Sequence, residues 1–199
     1  MLRGIHNQHS GFRSRLYYLF YRFIKEEKND IPPQFSVTIA ESLRDLLAIQ
    51  VEIPNPDDVE VDLLTDAVKS SSFDAQLYLF ETIGILCALL FKDRDQTKTL
   101  LLSFVRPLMD ELSEALQAHT KGSQDITPIV KVHHIIMALG NIAKGFPDYP
   151  SPLPVGYILP PLDVLAEVAQ AMLVCLENMN IFKVVRDAVS RAKTPREDL

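Results

Sequence analysis

Three features of this sequence predict an all-α fold in which helix pairs stack as an α-solenoid. Apolar residues recur with a period near 3.6 over runs of roughly a dozen residues or more, and the strict alternation that marks strands is scarce. The stretch from Ser72 to Phe91 is apolar on nearly every side, so it predicts a helix that needs neighbours on two faces. One row holds Phe73, Leu77, Phe80, Gly84 and Ala88, the other Leu79, Ile83, Leu86 and Leu90. The third feature is repetition. Tyr18, Leu19 and Phe20 recur as Tyr78, Leu79 and Phe80, and the segment from Lys131 carries Gly140 inside an apolar helix, as the central one carries Gly84. The period, roughly 50 to 60 residues, lies a little above that of the helix-pair repeats that build solenoids.

Ahead of the central helix, Phe12, Leu16, Leu19, Phe20 and Phe23 form one stripe over residues 12–28, with Ser10 as the expected N-cap. Its opposite face carries Arg15, Tyr18, Arg22 and Lys25 at i, i+3, i+7 and i+10, a solvent-facing line of three cations and an aromatic. Such a line serves either as a solvated face or as a contact surface for phosphates or an acidic partner. Asn29, Asp30, Pro32 and Pro33 end the helix, because proline lacks the N–H donor and restricts the residue before it. A second helix over 35–51 turns Val37, Ile39, Ala40, Leu43, Leu46 and Leu47 inward, as an antiparallel neighbour. Pro54 to Asp66 reads as an acidic loop with an optional helical turn. Its carboxylates lack the glycine and spacing of a calcium loop.

Beyond the central helix, residues 92–96 predict a polar turn, and a long amphipathic helix follows over 97–118, where Pro107 should introduce a kink. A polar loop with Gly122 leads to a third apolar helix over 129–146. There His133 and His134 point about 100° apart, and no Cys, Asp or Glu lies one turn away to complete a metal site. His134, Asn141 and Lys144 are assigned to its polar surface. Residues 145–161 hold six prolines and predict an irregular connection. A helix over 162–178 turns Leu165, Val168, Ala169, Met172, Leu173 and Leu176 inward, and a last helix is expected over 181–193.

Hydrophobic residues make up 47% and charged ones 23%, the balance of a folded chain rather than a disordered one. The formal net charge of -6 is unevenly spread. Residues 1–28 hold six Lys/Arg against two Asp/Glu, and residues 29–90 hold two against eleven. An acidic total argues against a stand-alone nucleic-acid binder but leaves room for a local basic patch. Cys87 and Cys175, far apart in apolar helices, read as buried reduced thiols of an intracellular protein. No signal peptide follows Met1, and the longest uncharged apolar run, Thr82 to Phe91, is too short to span a bilayer, so a soluble protein is expected. There is no phosphate loop, G-x-S-x-G, H-E-x-x-H or Cys/His pair set for nucleophilic attack. An enzyme with catalytic residues, a cofactor or a metal is therefore not expected.

The segments FRSRLYYLFYRFIK, FDAQLYLFETIGIL and KVHHIIMALGNIAKGFPDY, in this order and spacing, resemble the central part of the exportin-T family, karyopherin-β exporters of tRNA, most closely its fungal members. The likeness runs through nearly all 199 residues, although members of the family are several times longer. It implies a fragment of a solenoid of HEAT-type antiparallel helix pairs, with units at 1–28 (a half repeat), 31–91, 95–147 and 160–195. Cut from its neighbours, such a piece exposes apolar faces and is expected to be poorly soluble alone. The implied partners are tRNA, Ran in its GTP form and nuclear pore proteins, with shuttling between nucleus and cytoplasm and no membrane insertion. RNA recognised by shape and backbone asks for cations on a concave face. The family's own contact positions do not carry over residue by residue. Helical geometry instead offers Arg15, Arg22 and Lys25 as a phosphate-facing line, with Lys144 as a weaker member. A karyopherin for a protein cargo, or a generic helical-repeat scaffold, is the alternative.

Overall fold

A computed structural model of the chain describes residues 10–55, 62–69, 71–120, 125–147 and 162–178, with positions 183 and 186. Among the described residues there are seven α-helices, one 3-10 turn and no strand. The helices are α1 (Ser10–Glu27), α2 (Pro33–Ser42), α3 (Leu63–Val68), α4 (Ser71–Ala88), α5 (Arg94–Thr120), α6 (Thr127–Lys144) and α7 (Leu162–Asn178), with the 3-10 turn at Arg44–Leu47. The Ser10 side chain that was expected to cap α1, Gly122, the proline-rich stretch beyond 147, the Cys175 and Leu176 side chains and the last helix, positions 183 and 186 apart, lie outside the described parts of the structure. No helix among the described residues is long and apolar enough to cross a membrane.

The fold is an all-α helical-repeat solenoid, and its two layers follow from which helices touch. α4 packs on α1 along one side and on α6 along the other, making a layer of three. α2 and the 3-10 turn lie against α4, α5 lies against α6, and α7 lies against α5. Within the layer of three the helices run parallel. Tyr18 meets Tyr78 with ring centroids 5.2 Å apart, and one turn on Tyr21 meets Glu81, sixty positions later in the chain. Repeat-equivalent residues therefore touch across the α1–α4 boundary, as stacking of like units requires. The two apolar rows of α4 have their partners: Leu79, Ile83 and Leu86 are fully buried and Phe80 nearly so. Each such side chain contributes about 2 kcal/mol of transfer free energy.

Two glycines set how closely α4 and α6 approach. A Cβ on Gly84 would lie 2.0 Å from the Ile142 carbonyl oxygen, and one on Gly145 would lie 2.3 Å from the Glu81 carbonyl oxygen. The backbones are in direct contact, so side chains are excluded at both positions. Gly145 is right-handed at φ -68, which makes proximity, not conformation, the reason for glycine there. The expected counterpart of Gly84, Gly140, faces open space instead.

Several boundaries differ from expectation for identifiable reasons. α2 ends at Ser42 rather than running on to Val51. The Leu46 and Ala48 carbonyls accept from the Gln76 side-chain amide at 2.6 and 3.1 Å, and the Ile49 carbonyl accepts from Lys131 Nζ at 3.3 Å. These tertiary donors pair the Leu46 carbonyl in place of a helical N–H, and the Ala48 and Ile49 carbonyls that the last turn of a helix ending at Val51 would leave open. α5 starts at Arg94, within the expected turn, because the Asp93 carboxylate caps it by accepting from Gln96 N at 2.9 Å. α5 continues through Pro107, which leaves the Ser103 carbonyl without its helical donor. Arg44 supplies one: Nη1 donates to Ser103 O at 3.0 Å and Nη2 to Ser103 Oγ at 3.1 Å, with the guanidinium 4.3 Å from the centre of the Phe104 ring.

The inward face of α1 is Tyr17, Phe20, Tyr21 and Ile24, while Phe12, Leu19 and Phe23 of the expected stripe are exposed. Tyrosines displaced them because the neighbouring α4 surface carries Glu81 and Tyr78, which reward a hydroxyl and an aromatic edge. On α7, Val164 and Val168 are buried and Leu173 is exposed, against the inward assignment of Leu173.

Candidate functional site

The most developed polar cluster stands where α1, α4 and α6 meet. At its centre is Glu81, a carboxylate in the middle of the apolar helix, whose side chain is only 3% exposed. An ionised group so buried is costly unless it is paired and hydrogen-bonded. Tyr21 of α1 donates its hydroxyl to Glu81 Oε1 at 2.7 Å. Lys25, one turn further along α1, donates to the Tyr21 hydroxyl at 2.6 Å and lies 3.3 Å from the same carboxylate oxygen. Lys144, at the last turn of α6, reaches Oε2 at 2.9 Å. Sequence places these groups correctly because Lys144 immediately precedes Gly145, whose contact with the α4 backbone brings the end of α6 to Glu81.

The electrostatics follow from that packing. Burial alone would raise the Glu81 carboxyl, but the Tyr21 hydroxyl and the Lys144 and Lys25 ammoniums outweigh it and hold the group below the usual carboxylate range. Burial, then the bond to Glu81, pushes the Tyr21 phenol up. Hydrogen bonding to Tyr21 raises Lys25, and hydrogen bonding to Glu81 raises Lys144, so both stay charged. Their side chains remain 53% and 66% exposed, so the buried carboxylate carries two outward cations.

The sequence-derived candidates thus fall into two groups. Lys25 and Lys144 come together on Glu81, although 56 residues separate Lys25 from that glutamate. Arg15 and Arg22 do not join them: Arg15 is exposed, and Arg22 pairs with Glu26 on its own helix. Glu81 and Tyr21 were not among the sequence candidates. The available signal was a lone acid at the centre of an apolar run, spaced from Tyr21 by the same interval as Tyr78 from Tyr18.

His134 is a correction. Assigned to the polar surface, it is fully buried, stacked on Phe73 with centroids 3.8 Å apart and planes 3° from parallel. α6 is covered by α4 on one side and α5 on the other, which leaves too little polar face for it. Its Nδ1 lies 3.2 Å from Nδ1 of His133, and its Nε2 has no hydrogen-bond partner among the described residues. Burial, reinforced by His133, pushes its pKa down to about 4, so the ring is neutral. Cys87 is buried as expected, and burial pushes its thiol up to about 12, far from the reactive thiolate range. Among the described residues no group of His, Cys, Asp and Glu is placed to hold a metal ion.

Parallel helices about sixty residues apart in sequence, joined by a carboxylate paired with cations from both flanking helices, define a segment of a helical-repeat protein. The Exportin-T family profile matches residues 1–194, and the chain belongs to that family. It is 64% identical over 186 residues to Exportin-T of Laccaria bicolor, covering 94% of this chain and 17% of that protein. Exportin-T of Coprinopsis cinerea is 58% identical over 94% of the chain and 18% of its own length. Exportin-T of Mycosarcoma maydis is 34% identical over 96% of the chain and 17% of its own length. The chain therefore spans less than a fifth of these relatives.

Proposed function

We propose that the chain is one segment of a nuclear export receptor that binds tRNA cooperatively with Ran in its GTP form, carries it from nucleus to cytoplasm and meets nuclear pore proteins on the way. The observation that carries this reading is membership of the Exportin-T family, with 64% identity to one member over 94% of the chain. No bond is made or broken on such a segment. Its part is to hold phosphates by charge, in a geometry set by helix stacking, and to add that share to contacts elsewhere along the arch. Arg15, Arg22, Lys25 and Lys144 are the groups for it, and the basic excess of residues 1–28 supports the first three.

The test is the affinity of full-length protein for a folded tRNA, with and without Ran-GTP, across a salt series. Binding should require Ran-GTP and fall steeply with salt. Charge reversal at Arg15 and Arg22 together should weaken it and flatten the salt slope by roughly one unit per lost phosphate contact. An unchanged affinity and slope would remove those two residues from the interface. Ran-GTP binding to which tRNA makes no difference would move the cargo to a protein.

A further inference from the structure

We propose that Glu81 is a positioning residue that makes Lys25 and Lys144 a single receiver for an RNA phosphate. The inference rests on the phosphate-facing reading of these lysines given above, and it assigns the residue that orients them. An ammonium has three N–H donors. Lys25 directs two, to the Tyr21 hydroxyl and to Glu81, and Lys144 directs one to Glu81. That leaves one donor on Lys25 and two on Lys144, on side chains 53% and 66% exposed, above a carboxylate 3% exposed.

Glu81 is too deeply buried to meet a ligand itself, and its charge acts from beneath. It holds together two like charges that would otherwise turn away from each other, and it restricts two of the most flexible side chains before any ligand arrives. The floor under them is stiff. Gly84 and Gly145 bring the α4 and α6 backbones into contact beside the cluster, and the 2.7 Å bond from Tyr21 fixes α1 to the same point. Outward cationic donors anchored on one carboxylate suit the non-bridging oxygens of a phosphodiester. Because one lysine comes from α1 and the other from α6, a phosphate bound there also ties together the two helices that flank α4.

Substitution of Glu81 separates positioning from simple charge by sign. If the lysines were only surface cations, Glu81→Gln would remove a negative charge, strengthen tRNA binding and steepen its fall with salt. Positioning predicts the reverse. With full-length protein and Ran-GTP, affinity for folded tRNA should fall on the order of tenfold, although the protein has become more positive. Tyr21→Phe changes no charge and keeps the ring, and it carries the test if Glu81→Gln does not fold, which thermal melting will show. Its expected result is a smaller loss, on the order of threefold, with a shallower salt slope. Unchanged affinity and slope in Tyr21→Phe would overturn the proposal. Lys25→Met and Lys144→Met test the reading beneath it. If both leave affinity unchanged, the phosphate-facing reading itself fails. If both weaken binding while Glu81→Gln strengthens it, that reading stands and the positioning role is overturned.

Discussion

Two places in this molecule set a carboxylate against two cations across a helix boundary, in opposite surroundings. At Glu81 the carboxylate is 3% exposed, and Tyr21 and the α4–α6 backbone contact complete the enclosure. At Glu167 of α7 the carboxylate is 47% exposed and takes Arg94 Nη2 at 3.0 Å and Lys98 Nζ, both from α5. Water and salt compete for every partner of Glu167, and pairs of that kind are worth little. Glu81 has given up its water and depends on its partners. The same charges therefore decorate one boundary and fasten the other.

The largest expected effect breaks the backbone contact on which the enclosed site rests. Gly84→Ala should cost about 3 kcal/mol, because its Cβ meets main-chain atoms that cannot step aside. Gly140→Ala, in open space, should be neutral or stabilise by up to about 1 kcal/mol. Denaturant midpoints of the two variants check this, and equal losses would remove the close approach as the cause.

Next comes removal of each carboxylate. Glu81→Ala should cost about 2 kcal/mol, less than a fully buried pair would lose because the lysine heads regain water. Glu167→Ala should leave the melting midpoint unchanged within error. High salt should not erase the difference between them, since the enclosed cluster is poorly screened.

Acid separates two groups at the α4–α6 boundary, His134 of α6 and Glu81 of α4. His134 stays neutral down to about pH 4 when folded, whereas an ordinary histidine protonates near 6.5. Between those values the unfolded chain takes up a proton that the folded one refuses, so stability falls as pH drops from 6.5 to about 4. Glu81 works in a lower window. Its folded carboxyl lies below 4.5, so its contribution is full above that value and is lost as pH falls through the folded pKa. His134→Phe, which keeps a ring against Phe73, should reduce the loss in the upper window, where His133, also lowered by burial, keeps its share, and Glu81→Gln should reduce the loss in the lower one. Urea titrations from pH 7 to pH 3 distinguish them.

The smallest effect concerns α5. Arg44→Met should cost about 1 kcal/mol by orphaning the Ser103 carbonyl, and should cost almost nothing in a Pro107→Ala background, where the helix supplies its own donor. Equal costs in both backgrounds would show that the arginine acts through its pair with Glu41 or its stacking on Phe104 instead.

The all-α fold was legible because 3.6-residue periodicity over long runs is hard to mistake, and α7 over 162–178 matches its expected bounds. Repetition was legible too, and it explains why Tyr18 touches Tyr78. What stayed hidden was tertiary. Gly84 and Gly140 read as matching glycines inside apolar helices, and nothing local says that Gly84 meets Gly145 while Gly140 faces open space. The burial of His134 depends on α6 being covered from two sides, and the short α2 depends on Gln76 and Lys131, distant donors that outbid helix continuation. Of the candidate site, Lys25 was visible on a helical line and Lys144 as a weaker candidate on the third apolar helix, while Arg15 and Arg22 of that line stand apart. The acid that gathers the two lysines was not visible, because one glutamate in an apolar run has no local partner.

Hydrogen–deuterium exchange on the chain with Glu81→Gln, beside Glu167→Gln, tests most directly whether one enclosed carboxylate fastens three helices. The expected result is faster exchange around Tyr21 of α1, Glu81 of α4 and Lys144 of α6 together in Glu81→Gln, with no spread beyond α5 and α7 in Glu167→Gln. Faster exchange confined to α4, with α1 and α6 as protected as before, would contradict it.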